Sequence, residues 1–146
     1  MPSNPNSDTN NEQPSTDASN LKSTGGFGRI GKAFGYSLQG LSHALRFEAA
    51  FRQELILVVP ATIALWFLPI TLLEKTVLLG THFLVLIVEL INSAVEAVVD
   101  RVSTDRHPLS GRAKDLGSAA VLLAVLFMMS AWLLIVGTIA LHYFKV

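Results

Sequence analysis

Val88–Asp100 reads VELINSAVEAVVD. It begins inside an apolar run, yet it carries Glu89, Asn92, Glu96 and Asp100. On a helix of about 100° per residue, Asn92 lies near −60° from Glu89, Ser93 near +40°, Glu96 near −20° and Asp100 near +20°. The five polar side chains therefore share one arc of about 100°. The remaining positions are Val, Leu, Ile and Ala. A charged carboxylate at a bilayer centre costs roughly 2.5–3.5 kcal/mol on insertion scales. Such a stripe is expected to face a protein interior or a wet cleft rather than lipid.

The surrounding chain makes the membrane the relevant solvent. Of 146 residues, 51% are hydrophobic and only 15% are charged, and the mean hydropathy is +0.48. Leu55–Leu73 is nineteen residues without a charge, long enough to span, with Pro60 expected to kink it. Thr76–Val88 is a second apolar run, with helical periodicity continuing to Asp100. Gly117–Phe144 is a third, free of Asp, Glu, Lys and Arg. Turn signals separate them at Pro69–Lys75 and at Ser103–Ser110, around Pro108. We therefore expect an all-α membrane protein with spans at about 50–70, 76–100 and 117–144.

Upstream, Phe27, Ile30, Phe34, Leu38, Leu41 and Leu45 recur every three or four residues, opposite Arg29, Lys32, Gln39, His43 and Arg46. This predicts an amphipathic helix over 27–47, its basic face toward lipid headgroups. Residues 1–24 hold few large apolar side chains and are expected to be a disordered tail, not a secretory signal. Residues 25–146 would form the membrane-embedded domain.

Loop charge orients the spans. Lys22, Arg29, Lys32, Arg46 and Arg52 precede the first, and Arg101, Arg106, Arg112 and Lys114 follow the second. The loop after span one holds only Lys75, and the C-terminus only Lys145. The positive-inside rule puts the N-terminus in the cytoplasm and the C-terminus outside. Trp66, Phe67, Tyr143 and Phe144 would then sit at the outer interface.

The stripe runs inward from the cytoplasmic interface, with Glu96 roughly 6 Å and Glu89 roughly 16 Å from Asp100 along the axis. Glu48 and Glu54, in RFEAAFRQE, open span one at the same depth, with Glu48 spaced to pair with Arg52. Two carboxylates at a cytoplasmic surface suit Mg²⁺ held together with a substrate phosphate. The basic loop SGRAKD, Ser110–Asp115, lies at the same surface and brings Arg112 and Lys114, which suit phosphate oxygens. The competing readings are polar glue between helices and an ion or proton path. A path is poorly served by three short spans with no acidic residue beyond Glu74 on the outer side. The chain has no cysteine, and His43, His82, His107 and His142 are scattered, so neither residue type outlines a metal site. No Walker loop or protein-kinase signature is present. Zero net charge points to no nucleic-acid partner.

The stretches FRQE (51–54), VELINSAVEAVVDR (88–101) and LSGRAKDLGSAAV (109–121) resemble the bacterial integral-membrane diacylglycerol kinase family. The resemblance extends from about Phe27 to the end of the third span. It implies a homotrimer of three-span subunits with an N-terminal surface helix in the bacterial inner membrane, the C-terminus periplasmic. It implies Mg²⁺-dependent transfer of the γ-phosphoryl group of ATP to diacylglycerol, giving phosphatidic acid. On that resemblance Glu89 is the catalytic base, Glu48 and Glu96 are metal-ATP ligands, and Asn92 and Asp100 are supporting polar groups. Further ATP contacts are Arg29, Tyr36, Asp105, Arg106, His107, Lys114 and Asp115. Ala50, Phe51, Arg52, Gln53, Glu54, Ser118 and Trp132, with Glu89, are the lipid-contacting positions. Undecaprenol kinases share these motifs. A non-enzymatic small membrane protein is the alternative from another class.

Overall fold

The computed structural model describes residues 26–102 and 107–144, so the tail expected at 1–24 lies outside the described residues. These residues form four helices and, among them, no strand: α1 (Gly26–Phe47), α2 (Ala49–Leu65), α3 (Leu72–Val102) and α4 (Pro108–Phe144). The chain divides into two compact units between Gln39 and Gly40, within α1. In the first unit Ile30, Phe34, Tyr36 and Leu38 are exposed. The second contains the end of α1 and all of α2, α3 and α4.

α3 is the central helix of the second unit, with α2 and α4 packed against it. Its buried residues are Leu78, Thr81, His82, Val85, Glu89 and Asn92. Those positions fall within about 100° of arc, one stripe. α2 contributes a narrow seam of Phe51, Val58 and Leu65, one residue every seventh. α4 turns Gly117, Val121, Ala124, Met128 and Ala131 inward at alternating steps of four and three. Gly117, Ala124 and Ala131 are small and seven apart, which lets the two backbones approach. The outer faces are open and apolar: Leu122, Leu123, Leu133 and Leu134 on α4, Ile56 and Leu57 on α2. Lipid is as apolar as these side chains, so packing and polar ties, not the hydrophobic effect, hold the helices together.

Among the described residues, two helices are long and apolar enough to cross a membrane, Leu72–Val102 and Pro108–Ile139. α2 is shorter than the expected 50–70 segment, at 17 residues. It runs on through Pro60. It stops at Leu65, where Trp66 N–H bonds back to Ile63 O (3.2 Å) and Phe67 N–H to Ala64 O (3.0 Å). Pro69 accounts for the stop: it disfavours helical backbone at Leu68.

α3 begins four residues before the expected 76. Thr71 and Glu74 form a reciprocal cap, Thr71 N–H to Glu74 Oε2 at 2.8 Å and Glu74 N–H to Thr71 Oγ1 at 3.3 Å. Outside the apolar stretch, the Thr71 hydroxyl, donating to Glu74 Oε2 at 2.6 Å, and then the Thr71 N–H hold the Glu74 carboxyl below its usual range. α4 begins nine residues before the expected 117. Pro108 takes the first helical position, where its missing N–H costs nothing. His107 caps the turn, accepting Leu109 N–H at Nδ1 (3.2 Å) and Gly111 N–H at its carbonyl (3.1 Å). SGRAKD is therefore helical, not a loop. With 37 residues, α4 is about 55 Å long, well beyond a bilayer core of roughly 30 Å.

Candidate active site

The polar stripe of α3 is graded in burial. Glu89 and Asn92 are buried at 3% and 8% exposure, Glu96 is half-buried, and Asp100 is exposed. Asn92 Nδ2 donates to Glu96 Oε1 (3.2 Å), one helical turn along. Lys114 Nζ meets Asp100 Oδ1 at 2.7 Å, pinning the polar start of α4 to the end of the stripe. That hydrogen bond, above all, raises the Lys114 pKa and keeps the amine charged. Both groups are solvent-accessible, so the pair aligns more than it stabilises.

Glu48 arrives by a break in the chain. Its backbone is extended (φ −92°, ψ 111°) and ends α1 one residue before α2 starts, with no side-chain cap bond. The Glu48 and Glu96 carboxylates both lie close enough to act on the charge of Glu89, and Glu89 acts in turn on Glu54. Glu48, Glu54 and Glu96 thus each lie within electrostatic reach of Glu89. The expected Glu48–Arg52 pair is absent, because Glu48 is not helical and the four-residue spacing no longer shares a face. Arg52 instead donates through Nη1 to the carbonyls of Arg46 (3.1 Å) and Leu45 (3.4 Å), capping the end of α1.

Two buried oxygens in this region have no partner, Asn92 Oδ1 and Glu54 Oε2. Such orphans are rare and mark a place where something else binds. Among the described residues, no three His, Cys, Asp or Glu side chains converge as a self-sufficient metal cage. The unpartnered set is one carboxylate oxygen and one amide oxygen. It is hard, anionic and incomplete, and it suits a divalent cation that brings phosphate oxygens with it.

Of the other expected positions, Ala50, Arg52, Gln53, Ser118 and Asp115 are exposed and Glu54 is half-buried. Phe51 is buried at 3% and belongs to the α2 seam rather than to an open surface. Arg29 and Tyr36 are exposed on the first unit, and His107 is exposed at the head of α4. Asp105 and Arg106 lie outside the described residues.

Sequence reasoning missed three contributors. Gly117 faces Asn92 so closely that an added Cβ would collide with Asn92 Oδ1 and come within 3.2 Å of Cγ. His82, read as one of four scattered histidines, is 1% exposed in the middle of α3. It stands seven residues before Glu89, so the same wheel that exposed the stripe would have placed it on that face. Thr62 bonds His82 from α2. Trp132, one of the expected lipid-contacting positions, is half-buried and donates its indole N–H to the same imidazole.

Comparison with known proteins bears on this arrangement. Residues 35–136 match the family model described as prokaryotic diacylglycerol kinase. The diacylglycerol kinase of Escherichia coli strain K12 is 50% identical over 109 residues, which cover 75% of this chain and 89% of that protein. The diacylglycerol kinase of Pseudomonas aeruginosa is 46% identical over 112 residues, covering 77% and 91% respectively. That of Helicobacter pylori strain 26695 is 42% identical over 107 residues, covering 73% and 84%. The match takes in both the carboxylate cluster and the basic start of α4. The chain is an enzyme of the prokaryotic diacylglycerol kinase family.

Proposed function

We propose that this protein transfers the γ-phosphoryl group of ATP to membrane diacylglycerol, giving phosphatidic acid and ADP. The observation that carries the reading is the graded stripe. A buried carboxylate, Glu89, stands at its deep end, Glu48 and Glu96 stand around it, and Lys114 stands at its watery end. Phosphoryl transfer needs positioning and charge neutralisation more than covalent chemistry. The stripe offers a lipid approach at one end and a nucleotide approach at the other.

Glu89 takes the proton of the lipid hydroxyl as its oxygen bonds to the γ-phosphorus. The bond from that phosphorus to the β–γ bridging oxygen breaks, and its electron pair leaves with ADP. Glu48 and Glu96 would hold Mg²⁺ together with the polyphosphate, and Asn92 steadies Glu96 through its amide. When bound, the ion neutralises charge on the phosphates. Lys114 offsets further negative charge, after exchanging Asp100 for phosphate oxygen. Arg29, Tyr36, Asp105, Arg106, His107 and Asp115 complete the nucleotide contacts. Ala50–Glu54, Ser118 and Trp132 complete the lipid contacts, with Phe51 acting through packing.

The same reading makes residues 25–146 a membrane domain with α2 as a third, shorter span, completed by the apolar residues up to Ile70. It places the protein in the inner membrane as a homotrimer, N-terminus cytoplasmic and C-terminus periplasmic. Reporter fusions at Val146 check the orientation, and a cytoplasmic signal there would overturn it.

The test of function is turnover in mixed micelles with labelled ATP and Mg²⁺. We expect labelled phosphatidic acid from diacylglycerol and little product from undecaprenol. Preference for undecaprenol would reassign the substrate. Absence of ATP turnover with either lipid would remove the kinase reading.

A further inference from the structure

His82 joins three helices. Trp132 Nε1 of α4 donates to His82 Nε2 at 2.9 Å, and His82 Nδ1 lies 2.8 Å from Thr62 Oγ1 of α2. An indole nitrogen only donates, so Nε2 must present its lone pair. The proton of the neutral ring then sits on Nδ1 and points to the Thr62 hydroxyl. The two rings are nearly parallel, at 17°, an orientation compatible with an in-plane N–H···N bond. Both ring nitrogens are satisfied, and the side chain is 1% exposed.

The same face of α3 carries Glu89 two turns, or about 10 Å, further on. Rotating α3 by one residue would turn its stripe by about 100° and break both bonds to His82. Apolar packing tolerates small rotations, whereas two hydrogen bonds from opposite sides admit one. Interhelical hydrogen bonds in membranes add only modest stability, so their value lies in alignment.

We propose that His82 is a positioning residue for phosphoryl transfer. Held between Thr62 and Trp132, it sets the rotation of α3 where Glu89 stands, seven residues further on. The proposal rests on the reading of Glu89 as the base.

The test uses the full chain in micelles with Trp66→Phe, which leaves Trp132 as the only tryptophan. Trp66 is 76% exposed and takes no part in the site. His82→Leu should lower kcat about tenfold, because small misplacements of reacting groups are costly. KM for Mg²⁺-ATP should stay within about twofold, since the nucleotide end is remote from the tie. The near-ultraviolet circular dichroism of Trp132 should weaken. Trp132→Phe, which keeps a ring without the N–H, should lose a similar factor, and the double variant little more. His82→Gln, whose amide oxygen can accept the indole N–H, should recover most of the rate. Thr62→Val tests the other bond if His82→Leu folds poorly, and should cost several-fold in kcat.

A kcat within twofold of the parent in His82→Leu or Thr62→Val, despite a weakened Trp132 band, would overturn the proposal. So would losses that multiply in the double variant, or a loss that follows the melting temperature and ignores Gln. Glu89→Gln in the same background separates the two ideas. Parent-like turnover there defeats the base assignment, whereas the His82–Trp132 cycle and the Gln rescue judge the tie by themselves.

Discussion

The buried face of α3 carries two polar sites, one at His82 and one at Glu89, and they are built differently. Around His82 every ring nitrogen has a partner, and the neighbours are Thr and Trp, which carry no charge. Around Glu89 the neighbours are like charges, and Asn92 Oδ1 and Glu54 Oε2 are left without partners. A buried polar group kept for architecture is normally satisfied, because an orphan costs roughly 1–3 kcal/mol. A site tolerates that cost, since its missing partners arrive with the substrate. The contrast separates glue from chemistry within a single helix face.

The largest expected effect strikes the open end. Glu89→Gln should lower kcat about 10²–10⁴-fold, the usual contribution of a general base, with little change in KM for ATP. Gln keeps the size and removes an intramembrane charge, so the melting temperature should hold or rise. Kinetics and melting on one preparation decide it. Lower stability with parent-like turnover would make Glu89 glue and dissolve the contrast.

Gly117→Ala should come next. The new methyl group would displace Asn92, so we expect a roughly tenfold loss of kcat and about 1–3 kcal/mol of overpacking. Gly137, where a Cβ meets nothing within 4 Å, serves as the control: Gly137→Ala should be near neutral. Equal effects of the two substitutions on turnover and unfolding would show that the α3–α4 approach at Asn92 is not special.

Lys114→Ala sharpens the comparison at the water end. The ion pair with Asp100 is exposed, so melting should change little, while KM for Mg²⁺-ATP should rise about tenfold or more. The hydrogen bond to Asp100 raises the Lys114 pKa, so its charge persists above the usual lysine range. Its contribution is present at neutral pH and is lost only as pH climbs through that raised value. A loss of stability with unchanged KM would move Lys114 from the site to the scaffold.

The smallest effect belongs to the far end of α3. Thr71→Ala removes one side of the cap and should cost about 1 kcal/mol, with turnover intact and Ser restoring stability. The cap lowers the Glu74 pKa, so its contribution is full above the ordinary carboxyl range. It fades as pH falls through the depressed value. Melting against pH in the parent and in Thr71→Ala checks the sign, and a larger difference at acid pH would contradict it.

Periodicity was enough to find the helices and the stripe. Apolar runs and a 100° repeat are local properties, and they survive any arrangement of neighbours. Helix starts were less legible. Thr71-Leu-Leu-Glu74 is a capping box and His107-Pro108 a helix opening, yet both lay in stretches rich in turn residues, where short-range preferences compete. The carboxylates of α3 could be read from sequence because their spacing is short and regular.

Sequence alone determined that the chain is helical and membrane-suited, and that one helix face carries acid along about three turns. Motif resemblance added the family. Tertiary structure alone decided which of these polar groups are satisfied and which are left open. Satisfaction depends on atoms tens of residues away. His82 meets Thr62 twenty positions before it and Trp132 fifty after it, and Gly117 meets Asn92 across a helix crossing. Hydrogen bonds and steric contacts act over a few ångströms of space, whatever the distance along the chain. A one-dimensional reading can therefore place a residue on a face, but only the packed helices show what that face meets.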